Sequence, residues 1–344
     1  MLRNNQANCA IILAAGEGKR MKSNRPKVLS CVLFKPMLRW VMDAVKSAGV
    51  HDMCVVTGFK HEEVDSYLAQ AQAEDKGYRI STALQTERKG TAHAVMMAED
   101  FLEKNRGGNV LIVSGDAPFL SPQVIRDALE LHKSRGNAVT VISAVLDDPF
   151  GYGRIVRDPK TGLLDSIVEE KDASPETKQI REVNSGAYWF AVDDLLSVLH
   201  NISNDNAQGE YYLPDAVKLL LEAGKTANAC KTNDATTVLG ANDCLQLNSL
   251  NDIARRQILD SLMAEGIEIP CRDGVIIGPD VVVRSHVAIL PSTILKGKTV
   301  IGSGSAIGPG TLLDNVTVAE NITVRYVVAE NCALNESPSP FSKI

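Results

Sequence analysis

The chain has 344 residues, of which 36 are Lys or Arg and 42 Asp or Glu, leaving a formal net charge of −6. Hydrophobic residues make up 44% and charged ones 23%, the balance of a soluble globular chain long enough for two domains and a sizeable core. That balance excludes an extended nucleic-acid surface, which needs a clustered basic face, but leaves room for a small anion held by a few placed cations.

The seven cysteines (Cys9, Cys31, Cys54, Cys230, Cys244, Cys271 and Cys332) are scattered and contain no Cys-x-x-Cys pair, which argues against a disulfide framework or a zinc site. The six histidines show neither His-Glu-x-x-His nor His-x-His spacing and read as surface or core residues. Residues 1–8 are polar, without the apolar stretch of a signal peptide, and no apolar run nears the roughly 20 residues of a membrane span. A cytoplasmic, reduced protein is expected.

In chain order, short apolar runs of strand length fall at 9–15, 53–57, 109–114 and 138–145. Helix-like stretches at 37–48, 61–73, 92–103 and 121–133 separate them, the last opening on Ser121-Pro122, an N-cap followed by proline. This alternation predicts an α/β domain, Rossmann-like, with a mixed and mostly parallel sheet. Ligands of such sheets bind at the carboxyl ends of the strands. From 151 to 239 the pattern is less regular, with strand candidates at Ile155, 165–168 and 186–190 and helical ones at 194–199 and 214–222. A helix is predicted over 243–264, because Leu250, Ile253 or Ala254, Ile258 and Leu262 form one apolar stripe.

After Gly266 the period becomes six. Ile277, Val283, Ile289, Leu295, Ile301, Ile307, Leu313 and Ala319 share one register, with small or β-branched residues four places on from Val281 to Thr323. A hexad repeat predicts a parallel β-helix, here of roughly three coils. The pattern stops at Arg325, and residues 335–344 read as an irregular tail. The expected division is therefore 1–240, a linking helix over 241–266, a β-helix over 267–334 and a tail over 335–344.

The strongest local signal is the run Leu13-Ala14-Ala15-Gly16-Glu17-Gly18-Lys19-Arg20-Met21 directly after the first strand. Glycines there let a ligand approach the backbone closely and turn its amides toward a phosphate. Arg20 and Lys27 add positive charge. The run is neither a Walker loop nor Gly-x-Gly-x-x-Gly, since position 21 is Met. Asp116, after Ser114-Gly115 at the end of the third strand, is placed to hold Mg2+ against phosphates.

These motifs continue in order with Pro26-Lys27-Val28-Leu29, Gln85, Gly90-Thr91-Ala92-His93-Ala94, Gly151-Tyr152-Gly153-Arg154, Glu169-Glu170-Lys171, Asn184-Ser185-Gly186, Gln208-Gly209-Glu210-Tyr211-Tyr212 and Asn242. From about residue 8 to about residue 330 the chain resembles the bacterial bifunctional N-acetylglucosamine-1-phosphate uridylyltransferase/glucosamine-1-phosphate acetyltransferase family. The resemblance implies a nucleotidyltransferase domain leading through a long helix into a short left-handed β-helix that trimerises. It also implies UTP and N-acetylglucosamine-1-phosphate as substrates, Mg2+ as cofactor, and neither a nucleic-acid nor a membrane partner.

By that resemblance Leu13, Ala14, Ala15 and Gly16 would line the uridine and phosphate site, and Gln85 would read the uracil edge with Gly90 and Thr91. Arg20 and Lys27 would neutralise the triphosphate, and Asp116 and Asn242 would hold Mg2+. Ser114, Gly115, Gly153, Glu169, Asn184 and Asn242 would face the amino-sugar phosphate. The chain departs from the pattern at Lys19, usually Thr, at Ser114 and at Pro214, usually Thr. The later coils that carry acetyl transfer are not reached, and His286 is the only histidine after His200, so that activity is expected to be absent. Other readings are a different sugar phosphate or nucleotide, an acyltransferase built on the hexapeptide coils, and a non-catalytic nucleotide-binding subunit.

Overall fold

The computed structural model describes residues 7–344; of the polar stretch 1–8, all but Ala7 and Asn8 lies outside the described residues. The chain divides into two compact units, one reaching Ser30 and resuming over Met37–Asp243, the other formed by Cys31–Pro36 and Cys244–Ile344. Residues 31–36, inside the stretch 1–240 expected as the first domain, form a hairpin that groups with the C-terminal unit. No helix among the described residues is long and apolar enough to cross a membrane.

The elements of the first unit, with the hairpin strands β2 (Cys31–Val32) and β3 (Lys35–Pro36) in their chain position, begin at β1 (Asn8–Ala14). They continue through α1 (Met37–Ser47), β4 (Asp52–Thr57), α2 (His61–Glu74), β5 (Arg79–Leu84), α3 (Thr91–Met96), α4 (Glu99–Lys104) and β6 (Asn109–Ser114). Then come α5 (Pro122–Arg135), β7 (Val139–Val145), β8 (Arg154–Arg157), β9 (Leu164–Val168) and α6 (Pro175–Lys178). The last are β10 (Glu182–Ala191), α7 (Val192–Leu199), α8 (Asp215–Glu222) and β11 (Ala227–Thr232). The main sheet runs β11-β7-β10-β6-β1-β4-β5. Only β10 is antiparallel to its neighbours β6 and β7 along that path.

The central strands are apolar without alternation because both faces are covered. On one face Ile11, Val56, Val110 and Ile112 pack with Val95, Leu195 and Val217. On the other Ala10, Ile12, Val55 and Leu111 meet Leu38 and Val41 of α1, Val64 of α2 and Ile125 of α5. Helix α5 starts where its cap predicts: the Ser121 hydroxyl accepts from the Val124 amide at 3.2 Å, and Gly136 ends it at φ 61°. The helix expected over 92–103 is two, interrupted at Met97 and Ala98. The edge strands β5 and β11 carry sequences too polar to read as strands, Arg-Ile-Ser-Thr-Ala-Leu and Ala-Asn-Ala-Cys-Lys-Thr, because edges are only half covered.

In the second unit α9 (Cys244–Ala264) buries Leu250, Ala254 and Leu259. The hairpin seats on it through the Leu33 amide, which donates to Asn251 Oδ1 at 2.9 Å. Lys35 Nζ pairs with Asp280 at 2.8 Å. The coils then stack in parallel. Ile277, Leu295 and Leu313 pair at intervals of 18 residues, as do Val283 with Ile301 and Ile289 with Ile307. At the corners Thr293 and Thr299 are buried, and each hydroxyl donates at 2.7 Å to a backbone carbonyl, of Leu290 and Lys296. This explains why small hydroxyl residues recur four places after the apolar one: the inside corner has room for them and a carbonyl to satisfy them.

The strict hexad holds only to Leu313. Ile301 pairs with Val318 and Ile307 with Val324, 17 residues on, and Leu313 with Ala329 and Val318 with Leu334, 16 on. Val318 rather than Ala319 therefore points inward, and Val316 and Ile322 occupy corners where Thr317 and Thr323 were expected. The coil does not stop at Arg325. Val324, Ala329 and Leu334 continue the core with shorter sides, which a fixed six-residue count cannot follow. The tail is not wholly irregular either: the Val328 amide donates to Ser342 O at 3.1 Å and the Ile344 amide to Val328 O at 2.8 Å, adding a last rung. Phe341 stacks on Tyr326 with ring centroids 5.0 Å apart.

Candidate active site

Strands β1 and β6 end side by side, and a cavity of about 410 Å3 opens at their carboxyl ends. Leu13, Ala15, Gly16, Arg20, Lys27, Gln85, Gly90, Thr91, Ser114, Asp116 and Asn242 all line it. Ala14 is buried under the loop instead, and Gly115, whose amide donates to Leu13 O at 2.9 Å, ties the two strand ends together. The two loop glycines differ in purpose. Gly18 has φ 64°, and a side chain there would start 2.7 Å from Lys27 Cβ, so it is the glycine that lets Lys27 approach. Gly16 has open space beside its Cα, facing the cavity.

At the floor three side chains converge. Lys27 Nζ forms an ion pair with Asp116 Oδ2 and donates to Asn242 Oδ1 at 2.7 Å. The Ser114 hydroxyl donates to Asp116 Oδ1 at 2.5 Å. Burial alone would raise the Asp116 carboxyl, but the Lys27 charge and the hydrogen bonds from Lys27 and Ser114 outweigh it and hold it below the usual carboxylate range. A carboxylate and an amide carbonyl thus already share one cation. Such a pair of hard oxygens fits a divalent ion that completes its shell with water and phosphate oxygens. Among the described residues no group of three His, Cys, Asp or Glu could hold a metal unaided.

The opposite wall is built from the loop 85–91. Gln85 is buried, and its Nε2 lies 3.1 Å from Gly90 O and 3.0 Å from His93 Nδ1. Gly90 sits at φ 108°, with Tyr211 backbone directly behind it, and the Tyr211 amide donates to Lys89 O at 2.7 Å. The Thr91 hydroxyl accepts from the Leu213 amide at 3.0 Å. The Gln-Gly-Glu-Tyr-Tyr segment therefore clamps this loop from outside.

Gly153, Glu169 and Asn184 cluster together but do not line that cavity. The Asn184 amide donates to Gly153 O at 2.9 Å, and a side chain on Gly153 would start 2.8 Å from Glu169 Oε1. Asn184 is buried, its Nδ2 donating to Tyr188 Oη at 2.5 Å. Arg154, 1% exposed, is paired with Glu170 at 2.7 Å and holds the β8 and β9 ends in place. The neighbouring Tyr152 has its phenol raised by burial and by the charge of Asp116.

Burial, and after it the charges of Asp172 and Asp215, push the Glu169 carboxyl up to about 7 against the opposing pull of Arg154. A group raised in the folded state favours folding while protonated and loses that contribution as pH climbs from its unfolded value through 7. Glu169→Gln mimics the protonated form. We expect the variant to match the parent near pH 5 and to exceed it by about 1–2 kcal/mol near pH 8.5, in denaturant melts at both pH values. Equal stability at both would remove the burial argument.

Arg88, not singled out in the sequence, and Lys19, noted there as a departure from the pattern, also lie at this site. Arg88 lines the cavity from the loop 85–91 and pairs with Glu17 of the glycine loop at 2.9 Å. Its signal was a cation between Gln85 and Gly90. Lys19 also lines the cavity; its side chain is 80% exposed and reaches only to 3.9 Å of Glu17, so it faces solvent at the rim.

A nucleotidyl transferase family model matches residues 9–255. The bifunctional protein GlmU of Caldanaerobacter subterraneus subsp. tengcongensis is 43% identical over 84% of this chain and 61% of its own length. That of Acetivibrio thermocellus is 41% identical over 83% of this chain and 60% of its own. The chain thus spans about three fifths of these curated relatives. A solved Bacillus anthracis protein, provisionally named glucose-1-phosphate thymidylyltransferase, superposes with a TM-score of 0.60 at 22% identity, covering 72% of this chain and 96% of that one.

Proposed function

The chain belongs to the nucleotidyl transferase family, and from that premise we propose that it transfers a uridylyl group from UTP to N-acetylglucosamine-1-phosphate, with Mg2+ as cofactor. The observation that carries the reading is the meeting of Lys27, Asp116 and Asn242 at the floor of a strand-end cavity whose opposite wall presents Gln85.

The reaction needs no general base. A sugar-1-phosphate is already largely dianionic near neutral pH, its second pKa being about 6. One of its oxygens forms a bond to the α-phosphorus of UTP as the bond to pyrophosphate breaks. The obstacle is bringing two polyanions together and absorbing charge in the transition state. Arg20 and Lys27 supply cations for the phosphates. Asp116 and Asn242 would hold Mg2+, which when bound supplies charge at the α-phosphate and the leaving pyrophosphate. Gln85, with one amide able to donate and accept, reads the uracil edge beside Gly90 and Thr91. Glu169 accepts from sugar hydroxyls, and Asn184 and Gly153 shape the space beside it. Leu13, Ala15 and Gly16 pass the ribose and phosphates, while Ala14 and Gly115 support the strand ends.

The proposal includes a cytoplasmic homo-oligomer, a trimer being favoured by the family resemblance, and no acetyl transfer by residues 267–344. In that stretch the sole histidine, His286, is exposed at a corner with φ 59°. Pyrophosphate release with UTP, Mg2+ and a panel of sugar-1-phosphates tests the reading, with acetyl-CoA and glucosamine-1-phosphate run alongside. Release greatest with N-acetylglucosamine-1-phosphate and no free CoA is expected. No release with any sugar would sink the catalytic reading, and CoA production would sink the exclusion of acetyl transfer.

A further inference from the structure

Lys27 occupies an unusual position for a phosphate ligand. Its ammonium rests on the two oxygens that the metal would need, Asp116 Oδ2 and Asn242 Oδ1. The side chain is only 11% exposed. A divalent ion held by the same two oxygens would have to compete with this ammonium for them. The stem allows a change of place: Lys27 Cβ, Cγ and Cδ lie against Gly18, while the backbone is fixed in a short turn over Lys27–Leu29. A swing about the outer bonds of the four-carbon stem moves the charge without moving the chain.

We propose that the Lys27 ammonium is the resident cation of the Asp116–Asn242 oxygen pair in the substrate-free protein, that a divalent ion enters only by displacing it, and that the displaced ammonium then becomes the phosphate contact. The proposal rests on the reading of Asp116 and Asn242 as the divalent-ion ligands. It has a consequence for order. With two protein oxygens on offer and a built-in competitor, the free protein takes up metal poorly, and nucleotide phosphates must supply both the missing ligands and a new partner for Lys27. Resident charge also keeps Asp116 and Asn242 oriented before substrate arrives, so neither oxygen is left unsatisfied.

The test is Mn2+ binding to the full chain without nucleotide, read from the electron paramagnetic resonance of free Mn2+. Lys27→Met and Lys27→Gln remove the charge with different side-chain polarity, so that one misfolded variant does not decide the outcome. We expect both to bind Mn2+ at least about tenfold more tightly than the parent, as loss of a competing charge-assisted hydrogen bond predicts. Asp116→Asn in either background should abolish the gain. Arg20→Met removes another cation of the same cavity and should shift Mn2+ affinity less than about threefold. Unchanged or weaker Mn2+ binding in the Lys27 variants overturns the proposal, and so does an equal gain from Arg20→Met, which would make the effect one of net field. A parallel titration of the parent with UTP present addresses the functional reading separately: absence of any UTP-dependent Mn2+ uptake rejects that reading, whatever the nucleotide-free arm shows about Lys27.

Discussion

Asp116→Asn is expected to lower kcat by about 10^3-fold, equivalent to ~4 kcal/mol of transition-state stabilisation. Asp116 is the only carboxylate among the side chains that meet at the cavity floor, and it takes the charge of Lys27 and the hydroxyl of Ser114 on separate oxygens. Asparagine keeps the shape and an acceptor for Ser114 but removes the negative charge that holds a cation. The fold should survive, because the residue lies at a strand end outside both apolar cores; the cost is a largely buried Lys27 left with Asn242 alone, about 1–3 kcal/mol. Part of that stability is pH-dependent in the parent. A carboxyl held below its ordinary value contributes above that value and loses its contribution as the pH falls through the lowered one, so the difference between parent and variant should close in acid. Steady-state pyrophosphate release and urea melts at pH 7 and pH 3.5 check both parts. A kcat within tenfold of the parent would take Asp116 out of the chemistry.

What the sequence disclosed follows from how local each cause is. The strand runs 9–15 and 109–114 read clearly because both faces of a central strand are buried, so all but the end residues Asn109 and Ser114 are apolar and no neighbour needs to be known. Ser121-Pro122 and Gly136 marked α5 because caps act within one turn. The edge strands β5 and β11 were unreadable for the opposite reason: their pairing supplies what their polar sequences do not. The hexad failed after Leu313, where the steps to Val318, Ala329 and Leu334 are five residues and only that to Val324 stays six, while all of these still found the core. A count of six has no way to shorten. The hairpin at 31–36 was invisible because its partners, Asn251 and Asp280, are more than 200 positions away. At the site, residue types and order picked out Lys27, Asp116 and Asn242. The sequence could not say that the lysine lies on the two oxygens, nor that Gly18 rather than Gly16 makes room for it. Arg88 went unmarked because its partner Glu17 belongs to a different loop.

Two of the glycines that line the cavity, Gly90 and Gly16, should separate stability from binding. Gly90→Ala is expected to destabilise the protein by about 3 kcal/mol. At φ 108° and ψ 177° the residue occupies a region that L side chains avoid, and its added Cβ would lie 2.5 Å from Tyr211 O and 2.7 Å from Tyr211 N. Neither neighbour can yield cheaply, since the Tyr211 amide is bonded to Lys89 O and its carbonyl accepts from the Ala92 amide at 2.9 Å. Relief requires the loop to move, which shifts Gly90 O away from Gln85 Nε2 and should raise KM for UTP about tenfold, a loss of ~1.4 kcal/mol. Gly16→Ala makes the opposite trade. Nothing lies within 4 Å of its added Cβ, so the melt should stay within about 0.5 kcal/mol of the parent. Its methyl group, however, stands in the lining of the cavity, where UTP must approach the backbone. Isothermal titration with UTP and urea melts of both variants make the comparison. If Gly90→Ala melts like the parent, the loop is not clamped as its contacts require; if Gly16→Ala binds UTP like the parent, the glycine loop does not touch the nucleotide.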